Sequence, residues 1–145
     1  MAELSKHIAR VVEIANDPSA AASSPLAASW RRSLDHHGLD PGQREGVHRI
    51  TETALSEKRS LAEAMLRVAT PKLDALFQLV SSSGCGVLLT DAEGVVLDMR
   101  AALNDRGIFE NWGLAPGADW SEASEGTNGI GTCITEARRV IILRN

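Results

Sequence analysis

The chain has 145 residues, of which 43% are hydrophobic but only 3% are aromatic, and its formal net charge is −4. This length corresponds to one domain, or to one domain with a helical attachment, whose core is built mainly from aliphatic side chains. A nucleic-acid-binding surface is normally basic, so the acidic balance argues against one within these residues. No apolar run is long enough to cross a bilayer and the N-terminus lacks a signal-peptide core, which predicts a cytoplasmic protein without membrane contact.

Apolar spacing and capping signals predict helices in the first part of the chain. Apolar residues recur at helical spacing across Glu3–Ala15, and the following Asn-Asp-Pro ends that helix. Residues 19–24 are small and predict a linker. The Ser24-Pro25 pair predicts the start of a second helix, because serine caps an N-terminus and proline suits the first turn. Gly38 is predicted to end this helix.

A longer helical region is predicted from about Thr51 onward. Thr70-Pro71 has the pattern of a cap followed by proline, so a new or kinked helix is predicted to begin there. Five apolar residues around this point alternate in steps of three and four, which suits packing against another helix, either within the chain or across a dimer. These residues are Leu66, Ala69, Leu73, Leu76 and Val80.

After residue 81 the sequence changes from helical patterns to short apolar strands. Cys85–Asp91 and Val95–Met99 predict two antiparallel strands, and Gly94 supplies the positive φ that their tight turn requires. A short helix is predicted over Ala101–Trp112, and Val140–Leu143 predicts a third strand. Because the sequence stops directly after that strand, we expect an incomplete sheet in a fragment or a truncated domain.

The most unusual stretch is Gly126-Thr-Asn-Gly-Ile-Gly-Thr132, which holds three glycines in seven residues. Glycines allow the backbone to approach a ligand or another element closely. The stretch has neither the Walker pattern nor the dinucleotide-binding glycine spacing, and Glu122 and Glu125 just before it would repel a phosphate. A phosphate-binding loop is therefore disfavoured, and a helix is predicted over Thr127–Glu136 despite the glycines.

The two cysteines, Cys85 and Cys133, do not form a CxxC motif. The interpretation that the sequence favours is a pair of buried, reduced thiols. A redox pair is the alternative, because both residues are expected near the proposed site.

Charged and imidazole side chains give no catalytic or metal-binding pattern. His36 and His37 are adjacent, so they diverge in direction on a helix, and no cysteine or carboxylate cluster completes a metal site. Arg31 and Arg32 are predicted to contact an acidic surface or water rather than nucleic acid. The sequence therefore predicts no metal, no cofactor and no enzyme activity.

Several motifs together resemble a known family. The hairpin Val87-Leu-Leu-Thr-Asp-Ala-Glu-Gly-Val-Val-Leu is followed by a helix and then by Trp120-Ser-Glu-x-x-x-Gly-Thr-Asn-Gly-Ile-Gly-Thr. Ser29-Trp-Arg-Arg-Ser33 and His37-Gly-Leu-Asp-Pro41 lie upstream. This order resembles the N-terminal sensory region, with its GAF domain, of acetoin-regulator-like, sigma-54-dependent transcriptional activators. The resemblance extends from about Ser24 to Arg144.

The resemblance implies an α+β, GAF-like (PAS/GAF-type) fold in which helices cover an antiparallel sheet. The change from helical patterns to strands at residue 81 divides the chain into an N-terminal helical region, residues 1–80, and a partial GAF-like sensor domain, residues 81–145. In such activators, ATP hydrolysis, sigma-factor contact and DNA binding belong to later regions, whose motifs this sequence does not contain. The implied role is a sensory module that passes an effector signal to those regions. A homodimer through the helices is the expectation from the apolar seam described above, if that seam packs across a dimer.

The resemblance also implies that a small organic effector binds between the sheet and its covering helices. The predicted site combines polar groups, an apolar wall and two tryptophan lids around the glycine-rich stretch. Its residues are Val87, Leu89, Trp112, Trp120, Thr127, Asn128, Ile130, Thr132 and Cys133. Alternatively, Thr127 and Asn128 only cap a helix and the glycines only permit close packing. A stand-alone GAF protein with thiol-based redox activity and a dimerisation module without ligand also stay open.

Overall fold

A computed structural model describes residues 2–43 and 46–143 of the chain. Its contacts divide it into two units, one formed by Met1–Gly46 with Trp120–Asn145 and the other by Val47–Asp119. Helices occur in both units and a two-stranded antiparallel sheet in the second, so the predicted α+β class is confirmed. The boundary at residue 80 rests on the change of sequence pattern rather than on these contacts, and it stays a prediction. Within the described ranges, no helix combines the length and the apolar character that a membrane span needs.

Three consecutive helices open the first unit: α1 (Ala2–Ala15), α2 (Pro18–Ser23) and α3 (Pro25–Arg31). Helix α3 continues into a π-helical turn, Arg32–His36, and α1 packs against α3. The chain then leaves the helix at Gly38, whose φ of 66° is readily adopted only by glycine. The two helices predicted for this region and the glycine that ends the second are confirmed.

The linker predicted over residues 19–24 is wrong, because most of these residues form α2. The Asp17 side chain accepts a hydrogen bond of 2.8 Å from the Ser19 amide and so caps this helix. Three successive alanines follow, and alanine has the highest helix propensity of any residue. A cap and an alanine run are therefore enough for a short helix, which Ser24 ends before it caps α3.

The C-terminal part of the first unit contains two short helices, α7 (Glu122–Glu125) and α8 (Gly131–Glu136). The helix predicted over Thr127–Glu136 is thus confirmed only in its second half, because residues 127–130 form the turn that leads into α8. The strand predicted over residues 140–143 is wrong. An apolar run forms a strand only beside a hydrogen-bonded partner, and no described strand pairs with it.

The second unit contains α4 (Glu52–Leu61), α5 (Glu63–Val80), β1 (Val87–Thr90), β2 (Val96–Arg100) and α6 (Leu103–Asn111). The predicted hairpin and the helix after it are confirmed. Helix α5 packs against both strands, and α4 packs against β2. The unit is therefore a small sheet with helices on it.

The helix start predicted at Thr70-Pro71 is wrong, because α5 runs through Pro71 and the interruption falls at Ala62. Thr70 is not a cap, since its hydroxyl donates a hydrogen bond of 2.7 Å to the Leu66 carbonyl within the helix. Proline removes one backbone hydrogen bond, but packing of α5 on the sheet outweighs that local loss.

The hairpin is extended by irregular backbone pairing at its β2 edge. The Val96 amide donates a hydrogen bond of 2.9 Å to the Ala118 carbonyl, and an isolated bridge joins Arg49 to Ala118. Segments 48–50 and 117–119 therefore continue the ladder beyond β2. Val96 and Leu97 are fully buried at the centre of this unit, as expected for a hairpin that does not stand alone.

Candidate functional site

The first unit contains a buried carboxylate. Glu122, the first residue of α7, is only 3% exposed. Its Oε2 accepts a hydrogen bond of 2.7 Å from Ser29 Oγ, and its Oε1 accepts one of 2.6 Å from Arg32 Nε. Arg32 Nη2 donates to Glu122 Oε2 at 3.1 Å and also pairs with Glu136 at 2.8 Å. The guanidinium of Arg32 thus joins the helix after α3 to both α7 and α8, which confirms the predicted acidic contact for this arginine.

Three hydroxyl groups continue the network from this carboxylate. Ser29 Oγ lies 2.7 Å from Thr127 Oγ1 and 3.1 Å from Thr132 Oγ1. Since Ser29 gives its one proton to Glu122, Thr127 is the donor in the bond between them. The Asn128 amide in turn donates to Thr132 Oγ1 at 3.2 Å. Ser29 and Thr132 are almost completely buried, so the network satisfies polar groups that water does not reach.

Electrostatics in the network favour the ionised carboxylate. Burial alone would raise the pKa of Glu122, but the hydrogen bonds from Arg32, Ser29 and Thr132 and the charge of Arg32 together lower it below its ordinary value of 4.5. The hydrogen bond with Glu122 raises the pKa of Arg32, against the opposing effect of burial. At neutral pH the network therefore contains a charged pair, formed by Arg32 and Glu122. We name this set of Ser29, Arg32, Glu122, Thr127, Thr132 and Glu136 the Glu122 network.

Asn128 organises the glycine-rich stretch Gly126–Thr132, which leads into α8 and which we call the glycine-rich turn, through four hydrogen bonds. Its Oδ1 accepts from the amides of Ile130 and Gly131, each at 2.8 Å. Its Nδ2 donates to the carbonyls of Trp120 at 3.1 Å and Gly126 at 2.9 Å. Asn128 Oδ1 thus binds the first amide of α8, but the N-cap position of that helix is Ile130, which makes no side-chain cap bond. The expectation that Thr127 caps the helix is wrong, because its hydroxyl is bonded to Ser29.

Two glycines in this turn have identifiable physical reasons. Gly126 has a φ of 65°, a conformation that costs other residues energy. Gly131 lies against the chain entering α7, where an added Cβ would be 2.6 Å from the Trp120 carbonyl oxygen and 2.7 Å from the Ser121 carbonyl carbon. No such contact exists at Gly129. Close packing therefore explains Gly131, whereas the structure gives no steric reason for Gly129.

The structure distributes the predicted site residues over both units. Val87, Leu89 and Trp112 belong to the second unit, and the other six belong to the first. Within the first unit, Thr127 and Thr132 meet at Ser29, and Asn128 contacts the Trp120 backbone. Those six residues are Trp120, Thr127, Asn128, Ile130, Thr132 and Cys133.

The solvent exposure of the two cysteines differs from the expectation. Cys85 is exposed and Cys133 is half-buried, so the prediction of two buried thiols is wrong. Cys85 lies in the connection before β1, where it contacts Ser83 Oγ at 3.4 Å, rather than inside the strand that was predicted to bury it.

Sequence reasoning missed the residues at the centre of the network. In the sequence, Ser29 stands out only as part of the Ser29–Ser33 motif, and Glu122 only as a negative charge before the glycine-rich stretch. They lie 93 positions apart in the chain, so no local pattern connects them. A usable signal was the serine and arginine three positions apart in Ser29-Trp-Arg-Arg-Ser33, since such residues lie on one helix face.

Each unit also contains an open cavity. A cleft of about 250 Å³ in the first unit is lined by Ser24, Pro25, Leu26, Thr132 and residues 138–143. A groove of about 580 Å³ in the second unit is lined by α4 and α5 between Glu52 and Thr70. Thr132 is thus shared by the Glu122 network and the cleft.

The chain is thus an α+β protein whose first unit contains the ion pair of Arg32 and Glu122. Residues 10–145 match the family described as MimR, N-terminal domain, and the chain belongs to this family. The predicted resemblance to the N-terminal sensory region of acetoin-regulator-like transcriptional activators is therefore confirmed. No solved structure matches the chain.

Three curated relatives are regulators by name, and two of them are named transcriptional activators. The chain is 32% identical over 114 residues to the acetoin catabolism regulatory protein of Cupriavidus necator, covering 79% of this chain and 17% of that protein. It is 32% identical over 126 residues to the propane 2-monooxygenase operon transcriptional activator MimR of Mycolicibacterium smegmatis, covering 86% and 20%. It is 29% identical over 119 residues to the acetoin dehydrogenase operon transcriptional activator AcoR of Bacillus subtilis, covering 81% and 19%. The chain thus spans a fifth or less of the length of each.

Proposed function

We propose that this chain is the effector-sensing N-terminal region of a bacterial transcriptional activator, with a GAF-like fold and no catalytic activity of its own. The observation that carries the proposal is the family match over residues 10–145. The names of the relatives support it, since each is a regulator of a catabolic operon or of transcription. A regulator of transcription in a bacterium works in the cytoplasm, which is where we place this protein.

The proposed effector is a small organic molecule that binds at the glycine-rich turn. The cleft of about 250 Å³ is smaller than the roughly 300 Å³ at which pockets for drug-sized ligands begin, so it suits a smaller organic molecule. Its wall combines the aliphatic residues Val140–Leu143 with the hydroxyl-bearing Thr132. The contacts we propose in the first unit are Trp120, Thr127, Asn128, Ile130, Thr132 and Cys133. Val87, Leu89 and Trp112 stay predictions from the resemblance.

The hydrogen bonds of the turn suggest how binding would be coupled to the rest of the protein. The hydroxyls of Thr127 and Thr132 are bonded to Ser29 on α3. An effector that takes one of these hydroxyls as a partner breaks a bond between α3 and the turn. Binding would therefore shift the equilibrium between two arrangements of α3 and the turn, which is how an effector changes the state of a regulator.

The partners of the module follow from the same proposal. Contacts with DNA and with the sigma factor would be made by other regions of a longer protein, since the relatives are five or more times longer than the matched segment. The module itself would act as a homodimer through its helices.

A thermal-shift experiment tests effector binding. The wild-type chain is melted with a panel of small alcohols, ketones and phenols that includes acetoin, and a binding compound at a hundredfold excess over its Kd should raise Tm by roughly 5–10 °C. Thr127→Val should remove the shift, whereas Thr135→Val, an exposed threonine on α8, should keep it. A panel without any shift, or a shift that Thr127→Val leaves unchanged, contradicts the proposed site.

The exposure of Cys85 keeps thiol chemistry as the second candidate function. That candidate requires methionine sulfoxide reduction by the purified chain with a dithiol reductant, lost in Cys85→Ser and in Cys133→Ser. We expect no turnover in the wild type. Turnover that depends on either cysteine would replace the sensory proposal with an enzymatic one.

A further inference from the structure

The cleft of the first unit is lined by positive charge and by no negative charge. Arg138 and Arg139 belong to its lining, and none of its lining residues within the described part of the chain has an acidic side chain. The remaining lining residues are one serine, one threonine, one proline and five aliphatic residues. A mostly apolar lining with a few polar groups selects its ligand through those groups, and here the charged ones are cationic.

Neither of these arginines is neutralised by a close carboxylate. Arg138 Nε lies 3.9 Å from Glu136 Oε2, at the outer limit of an ion pair. The other oxygen of Glu136 is bound by Arg32 at 2.8 Å, so its charge is shared between two guanidinium groups. Arg139 forms no ion pair with any residue in the described ranges. Both arginines are therefore available to a further anionic partner.

The Glu122 network beside the cleft does not reverse this balance. Its two carboxylates, Glu122 and Glu136, are both paired with Arg32. Together with Arg138 and Arg139, the network and the cleft contain three positive and two negative charges. This positive balance is local, since the whole chain has a formal net charge of −4. A negatively charged ligand is thus attracted to this part of an otherwise acidic chain.

The polar side chains that line the cleft offer hydrogen-bond donors. Ser24 Oγ accepts a hydrogen bond of 3.4 Å from the Ala27 amide, which leaves its own proton for another partner. A guanidinium group donates only, and its fork of N–H groups matches the two oxygens of a carboxylate. The group that complements these donors is therefore a carboxylate.

The aliphatic side chains that line the cleft are only partly covered by the fold. Leu26 is 36% exposed, Ile141 68%, Ile142 42% and Leu143 76%. The alkyl part of a ligand that covers them removes apolar surface from water. No aromatic residue is among the lining residues, so the lining provides no ring on which an aromatic ligand would stack. The small volume and this composition favour a short aliphatic chain.

We propose that the effector bound in this cleft is a short aliphatic carboxylate. Arg138, Arg139 and the Ser24 hydroxyl hold its carboxylate, and its alkyl part lies against Leu26 and Val140–Leu143. This inference rests on the effector site proposed above and names the chemical class of the ligand that the site takes.

Matched pairs of ligands test the requirement for negative charge. Carboxylates from propionate to 4-methylpentanoate are each compared with the corresponding neutral amide by isothermal titration of the wild-type chain. The tightest acid should bind about tenfold or more tightly than its amide, because hydrogen bonds between charged groups are about twice as strong as neutral ones. Its Kd should rise with salt, which screens exposed charges, whereas the Kd of the amide should not. Acids that bind no better than their amides overturn the proposal.

Arginine variants test which groups hold the carboxylate. Arg138→Gln and Arg139→Gln should each weaken binding of the tightest acid by about tenfold and leave binding of its amide unchanged. Arg10→Gln is the matched control, because Arg10 is exposed on α1 in the same unit and does not line the cleft. Circular dichroism melts without ligand show that the variants fold. Acid binding that both cleft variants leave at the wild-type Kd contradicts the proposed contacts.

The outcomes separate this inference from the proposal of effector sensing. If an alcohol, a ketone or a phenol raises Tm and no acid binds, effector sensing stands and the carboxylate class is wrong. Inorganic phosphate is the control for a nonspecific anion site, and phosphate that binds as tightly as the best acid also overturns the carboxylate class. If neither acids nor neutral compounds bind, both proposals fail.

Discussion

Gly131 shows at the scale of a single residue why the turn before α8 is rich in glycine. Two of the glycines in this turn differ sharply in their surroundings, although the sequence presents them alike. A side chain at Gly131 would meet the backbone of Trp120 and Ser121, which cannot move away, whereas Gly129 faces open space. Only Gly131 is therefore required by packing.

Gly131→Ala should destabilise the first unit by about 1–3 kcal/mol, the usual cost of overpacking a tight contact. Gly129→Ala is the matched control. Its change in unfolding free energy should stay within about 0.5 kcal/mol, because it meets no neighbour and has no positive φ. Urea unfolding of both variants provides the comparison. Equal effects would mean that the glycines act through backbone flexibility and not through close approach.

At the scale of secondary-structure elements, the Glu122 network connects α3 with α7 and α8. Arg32 and Glu122 lie 90 positions apart and are joined by two hydrogen bonds of a guanidinium fork. Paired bonds of this kind fix orientation as well as distance. The network therefore determines how the N-terminal helices are joined to the glycine-rich turn within the first unit.

The stability of this connection should depend on pH. The pKa of Glu122 is lowered in the folded chain below its ordinary value of 4.5, so the unfolded chain binds its proton more readily. Stability from this group is fully present above pH 4.5 and is lost as pH falls through the lower folded value. Glu122→Gln should remove that part of the acid sensitivity, at a cost of about 1–3 kcal/mol near pH 7.

Unfolding free energies of wild type and Glu122→Gln, measured between about pH 7 and pH 3, check this prediction. Glu57→Gln, an exposed carboxylate on α4, is the control and should keep the acid sensitivity of the wild type. A Glu122→Gln variant that loses stability with acid as steeply as the wild type would show that the carboxylate is not held ionised by its partners.

Elements with local signals were predicted well. Ser24 and Thr51 each cap the helix that follows them, and the glycine turn between the two strands was read correctly, because such signals involve only neighbouring residues. The short helix α2 was missed since six residues give too little periodicity to distinguish them from a linker. The long-range pairing could not be predicted: the spacing of Ser29 and Arg32 marks one helix face and suggests an acidic partner, but it does not identify Glu122, which lies 90 or more positions away.

At the scale of the whole molecule, each unit contributes a different feature to the proposed function. The first unit holds the glycine-rich turn, the cleft and the Glu122 network. The second holds the sheet with α4 and α5 packed on it. The first unit is therefore the part of the chain in which we propose that the effector binds.

The account depends most on the claim that the ion pair of Arg32 and Glu122 ties α3 to the glycine-rich turn. A double-mutant cycle with Arg32→Met and Glu122→Gln measures this directly from urea unfolding. Trp112→Phe serves as the background, so that fluorescence follows Trp30 and Trp120 of the first unit.

We expect a coupling free energy of about 1–3 kcal/mol between the two substitutions, as for residues that share a buried hydrogen-bonded pair. Each single variant should lose most of the stability that the double variant loses, because either substitution disrupts the paired bonds between Arg32 and Glu122. Losses that add within about 0.5 kcal/mol would mean that the two side chains act independently, and the connection from α3 to the turn would then be wrong.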